Sequence, residues 1–124
     1  MNTSKKEVTE ELEKLIHEKS EALNAANIAV NDFVALKNEY VMKSNDLRIN
    51  TDFKEAMNLS KPATEKQQQA YIEDKLQDLV QNIRIAEENV KSWKREVDLL
   101  NDKISLEKYR VNLWMGAVYG NNKS

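Results

Sequence analysis

The sequence has no cysteine, one histidine, one proline and two glycines among 124 residues. Without cysteine there is no disulfide framework, no thiolate zinc site and no thiol nucleophile. That usage suits a reducing compartment, and a cytoplasmic location is expected. A single histidine excludes a multi-histidine metal centre. So few glycines and prolines argue against an all-β fold, whose strands need turn signals about every 8–12 residues. No run of about 18 apolar residues occurs, so no membrane partner is expected. Also missing are a glycine-rich phosphate loop, a G-x-S-x-G elbow and an H-E-x-x-H helix. The acidic clusters Glu10-Glu11-Glu13 and Glu87-Glu88 lack the fixed alternation of a calcium loop. His17, with only Glu13, Glu18 and Glu21 near it in sequence, reads as a solvated side chain. The chain is therefore read as non-enzymatic, with no catalytic residue, no metal site and no cofactor.

What is present is charge and periodicity. Lysine and arginine number 19 against 21 acidic residues, a net charge of −2 that offers no bulk attraction to nucleic acid. The distribution is uneven. Residues 1–47 carry 6 basic and 9 acidic groups, whereas 91–124 carry 7 and 4. If two long helices fold back on each other, the acidic start lies beside the basic end, which mildly favours antiparallel pairing.

Ser4 and Glu7 have the S-x-x-E spacing of a capping box, and no Pro or Gly interrupts the next 45 positions. The row Leu12, Ile16, Lys19, Leu23, Ala26, Val30, Phe33, Lys37, Tyr40, Ser44, Leu47 predicts a helix over 4–49 with one buried seam, widened by Leu15, Ala22, Ala29 and Leu36. Residues 50–63 break the pattern. Asp52 and Glu55 suit a short helix ending near Met57 or Leu59, and Lys61-Pro62 turns the backbone away from helical geometry. Thr64 and Gln67 form a second capping box, T-x-x-Q.

From there the helical signal is the strongest in the chain. Ile72, Leu76, Leu79, Ile83, Ala86, Val90, Trp93, Val97, Leu100, Ile104, Glu107, Val111, Trp114 and Val118 step by four and three without a slip. Of the seven-residue series Leu76 to Val118, every member after Leu76 is β-branched. A strict 3.5-residue repeat calls for a partner helix. A second helix over 64–118 and a frayed tail at 119–124 are expected.

The fold class is thus all-α: a single coiled-coil domain over 1–124, built as a long antiparallel helical hairpin with a short connecting helix. Self-pairing of the second helix is the alternative, but Ala86, Trp93, Glu107 and Trp114 suit a symmetric dimer seam poorly. The expected hairpin register sets Val30 by Trp93, Lys37 by Ala86 and Ile16 by Glu107, with Lys19 one layer from that carboxylate.

Two surfaces remain as candidate sites. Ile85, Leu99, Leu106 and Leu113 form a second apolar row, offset by two positions from the seam, which one helical partner cannot cover. With Trp114 and Tyr119 in the aromatic end, these residues are the expected association surface, for self-assembly into a homodimer or higher oligomer or for a host or phage protein. Lys91, Lys94, Arg95, Lys103, Lys108 and Arg110 are candidate nucleic-acid contacts, diluted by Glu96, Asp98, Asp102 and Glu107.

Three segments carry a family resemblance. They are Asn50-Thr51-Asp52-Phe53-Lys54-Glu55, Lys61-Pro62-Ala63-Thr64-Glu65-Lys66 with Ala70-Tyr71, and Asn101-Asp102-Lys103-Ile104-Ser105-Leu106-Glu107-Lys108. The stretch they span resembles small helical early-region proteins of tailed bacteriophages infecting Gram-positive bacteria. The resemblance implies a host bacterial cytoplasm and a role in recombination, replication or interference with host defence, CRISPR nucleases included. It carries no catalytic motif and no site residues. The resulting expectation is a phage-type coiled-coil protein acting by protein–protein binding, the alternatives being a nucleic-acid-binding accessory or a structural scaffold component.

Overall fold

A computed structural model describes residues 5–120. Four helices follow in order: α1 Lys5–Asn50, α2 Phe53–Ala56, α3 Glu65–Lys75 and α4 Gln77–Gly120. There is no strand among the described residues. The arrangement is hairpin-like, with the two long helices α1 and α4 packed together. The chain groups into two compact units, residues 1–28 with 91–124, and residues 29–90.

In the first unit, Leu15 and Ala22 of α1 form a buried cluster with Leu100 and Ile104 of α4, and Leu12, Trp93 and Val97 pack against it. The α4 seam read from the sequence is the one that is covered. Trp93, Val97, Val111 and Trp114 are half-buried, while Leu100, Ile104 and Glu107 are buried. Each fully covered aliphatic side chain contributes about 1.5–3 kcal/mol relative to exposure.

The α1 seam differs from the expected one. Leu15, Ala22 and Ala29 are buried and Leu36 is half-buried, whereas Ile16, Leu23, Val30 and Lys37 are exposed. The row Leu12, Lys19, Ala26, Phe33, Tyr40, Leu47 is half-buried as expected. At Ala22 the physical reason is size: the indole of Trp93 packs on the cluster that includes it, and a small residue there leaves room. The expected pairing of Ile16 with Glu107 falls with the seam, because Ile16 is exposed and Leu15 is the residue buried with Leu100 and Ile104. Beyond Leu36 the covered positions run Leu36, Tyr40, Ser44, Leu47, eleven residues over three turns, a local relaxation from the 3.5 repeat.

In the second unit the connector is tightly specified. Asp52 caps α2, its Oδ1 accepting from the Glu55 N–H at 3.3 Å. Asn58 lies in the left-handed region at φ 54°. Its N–H reaches the Glu55 carbonyl at 3.1 Å and the Leu59 N–H reaches that of Lys54 at 2.8 Å. This pair of bonds is a Schellman ending, for which asparagine is the usual substitute for glycine. Met57 is therefore the cap of α2 and Leu59 lies beyond it.

The T-x-x-Q box forms as read: the Gln67 N–H donates to Thr64 Oγ1 at 3.2 Å and the Thr64 N–H to Gln67 Oε1 at 2.9 Å. The Phe53 ring is buried against Tyr71, and Ile72 is fully buried. The expected unbroken helix over 64–118 is interrupted at Leu76 (φ −103°, ψ 23°), although no glycine or proline marks the place. The α4 backbone is helical through Gly120, past the expected end at 118. Ser4, half of the first expected capping box, and the rest of the expected frayed tail, 121–124, lie outside the described residues.

Candidate interaction surfaces

Position along α4 decides what the offset row can do. Residues spaced by seven return to nearly the same side of a helix, and the seam residues of α4 already face α1. Leu99, Leu106 and Leu113 are left facing outward in the first unit, each a little over half exposed. Ile85 is similarly exposed in the second unit. Trp114 is half-buried. Tyr119 belongs to α4 by its backbone, and its side chain lies outside the described residues.

All six candidate nucleic-acid contacts, Lys91, Lys94, Arg95, Lys103, Lys108 and Arg110, are exposed. They do not gather on one face. At about 100° per residue, Lys103 and Arg110 flank one side of the leucine row, Arg95 the other, and Lys94 and Lys108 lie on the far side. Glu96, Asp98 and Asp102 are interspersed and equally exposed. Arg110 is also engaged: its Nη1 lies 2.8 Å from Oε1 of Glu107. The carboxylate of Glu107 is only 9% exposed, so this bond from its own helix offsets much of the burial. The partner expected from sequence is Lys19; Arg110 supplies the charge instead, three residues away, as helix geometry allows.

Other polar groups serve the framework. His17 and Glu21 meet at 3.0 Å on an exposed face, and Glu39 and Lys43 at 2.8 Å, both with the i, i+4 spacing of surface pairs. In the second unit Gln69 forms a clasp between α1 and α3. It donates to Tyr40 Oη and to Glu73 Oε1, both at 3.1 Å, and accepts from Arg48 Nη2. No group of three or more His, Cys, Asp or Glu side chains that could hold a metal ion occurs among the described residues. No described helix is long and apolar enough to cross a membrane.

Two surfaces in the second unit go beyond the sequence reading. Met42 and Ile49, 72% and 81% exposed, lie seven residues apart on α1. An open groove of about 320 Å³ runs past Tyr40, Val41, Val80 and Ile83, with Lys37, Glu73 and Arg84 at its sides. The spacing of Met42 and Ile49 is visible in the sequence; the groove needs the seam on α1 to be placed correctly first. No family model, no curated protein and no solved structure matches this chain.

Proposed function

We propose that this protein is a non-enzymatic helical interaction module that works by binding protein partners, its own copies included. One observation carries the reading. Leu99, Leu106 and Leu113 stand in line on the outward side of α4, while the inward side of the same segment is occupied by α1. Apolar side chains repeated in register along one outward helix face are what a further helix packs against. The resemblance of the 51–108 stretch to early-region phage proteins supplies the context: the partner is a host or phage protein, and the binding modulates host defence or phage recombination and replication in the bacterial cytoplasm.

The test is a photo-crosslinking residue at Leu106 and, as a control, at Asp98, in the producing cell. The expected outcome is a discrete protein adduct from position 106 and none from position 98. Adducts with nucleic acid alone would overturn the reading in favour of a nucleic-acid-binding accessory, which the exposure of all six basic residues favours as the second possibility. That alternative requires binding that weakens steeply with salt. The interaction-module reading expects no nucleic-acid binding in moderate salt.

A further inference from the structure

We infer that a second copy of this chain docks on the Leu99–Leu106–Leu113 row in parallel and in register, each leucine meeting its own counterpart. This rests on the interaction-module reading and names the occupant of that surface. Two features support it: the exposed apolar row and the sign of charge along its edges.

Leu99, Leu106 and Leu113 are each a little over half exposed, in one line on the outward face of α4.

Orientation follows from the edges of the row. Arg95, Asp102 and Tyr109 lie along one edge, and Glu96, Lys103 and Arg110 along the other. All six are exposed. In a parallel pair related by a two-fold axis, one edge of a helix faces the opposite edge of its copy at the same height. Arg95 then meets Glu96 of the second copy, Asp102 meets Lys103, and the Tyr109 ring meets Arg110. Each contact is made twice, two kinds as opposite charges and one as a cation on a ring. Arg110 keeps its bond to Glu107 with 60% of its side chain still exposed, so it remains within reach.

An antiparallel pair brings like edges together. With Leu106 facing its copy, Lys103 lies against Arg110 and Asp102 against Tyr109, and no opposite charges meet. Exposed pairs of this kind are individually weak, but their sign chooses between orientations that bury similar apolar area.

Sedimentation equilibrium across micromolar concentrations, with circular dichroism to confirm retained helix, tests the proposal. The expected result is a dimer. Leu106→Glu should weaken it by at least about tenfold. Lys103→Asp should also weaken it by setting two carboxylates together, and adding Asp102→Lys to the same chain should restore it. An antiparallel pair makes the opposite prediction, because the carboxylate introduced by Lys103→Asp would then meet Arg110 and tighten the dimer. A single Leu99→Cys, in a chain without other cysteines, should form a disulfide with its own copy under mild oxidation.

A wild-type monomer throughout the range, a dimer indifferent to Leu106→Glu, or tightening by Lys103→Asp would each overturn the proposal. If the chain is monomeric yet position 106 still crosslinks to another protein, the parallel pair fails and the interaction module stands.

Discussion

The ring of Phe53 meets that of Tyr71 edge-on, with centroids 5.5 Å apart and planes at 87°. Phe53 is buried, and the outer face of Tyr71 carries Lys75 Nζ at 5.5 Å from its centroid. The contact ties the connector helix α2 to α3 and adds about 0.5–1.5 kcal/mol to the burial itself. Phe53→Ala should therefore destabilise the second unit by about 3–5 kcal/mol. Urea unfolding followed by circular dichroism will show the midpoint fall; an unchanged midpoint would mean the connector does not contribute to the fold.

The start of α3 offers a cleaner measurement. Thr64 and Gln67 satisfy each other's backbone N–H groups, and both are exposed, so replacement disturbs no packing. Thr64→Ala should cost about 1 kcal/mol, and Thr64→Ser nearly nothing. Gln67→Ala should cost less than Thr64→Ala, because the threonine cap bond survives it. Equal unfolding midpoints for Thr64→Ala and wild type would contradict the role assigned to the box.

Ser44 presents the reverse case. It occupies a covered seam position on α1, and its Oγ is buried without a hydrogen-bond partner. Removing an unsatisfied buried hydroxyl relieves a desolvation penalty of about 1–3 kcal/mol, while the small void left offsets part of the gain. Ser44→Ala should raise stability by up to about 1 kcal/mol. A fall in stability on denaturant titration would show that the hydroxyl has a partner in solution.

Glu107 and Arg110 form a pair whose two halves should behave differently. Arg110→Ala leaves a carboxylate covered and without its cation, and should cost about 1–3 kcal/mol. Glu107→Leu replaces the buried charge by an apolar side chain in a seam of apolar neighbours and should be neutral or stabilising. The two single variants and the double variant, measured by thermal or denaturant unfolding, give the coupling directly. Equal losses from Arg110→Ala and Glu107→Leu would refute the asymmetry.

The legible parts of this fold are those where one physical signal acts alone. The α4 seam can be read because its covered positions are mostly large and apolar, with β-branched residues at every seventh position from Ile83, in an unbroken four-three rhythm. The caps at Asp52 and Thr64 can be read because each needs only a short polar side chain and its neighbours three residues on. The α1 seam is harder, because two signals compete there. Ile16, Leu23 and Val30 are the more apolar choices, but Leu15, Ala22 and Ala29 are the ones covered, and in the first unit the small Ala22 belongs to the cluster on which Trp93 packs. Hydropathy ranks side chains by their affinity for water and says nothing of the room a neighbour requires.

The candidate surfaces show the same division. Exposure of Leu99, Leu106 and Leu113 follows from their offset to a seam that is legible in the sequence. The basic residues are neighbours in sequence only, and helix rotation distributes them around α4. The Schellman ending at Asn58 and the interruption at Leu76 leave no signal that spacing alone could reveal. One depends on a single left-handed residue that is not glycine, and the other on a leucine that fits a helix well.

Leu76 leaves helical dihedral angles yet gives up no hydrogen bond: its N–H still reaches the Ile72 carbonyl, and its own carbonyl receives the Val80 N–H, both at 2.9 Å. Ile72, Leu76, Leu79 and Ile83 stay at least half-covered on either side of it. The joint therefore keeps the apolar edges of α3 and α4 covered within the second unit while both backbone hydrogen bonds of Leu76 are retained.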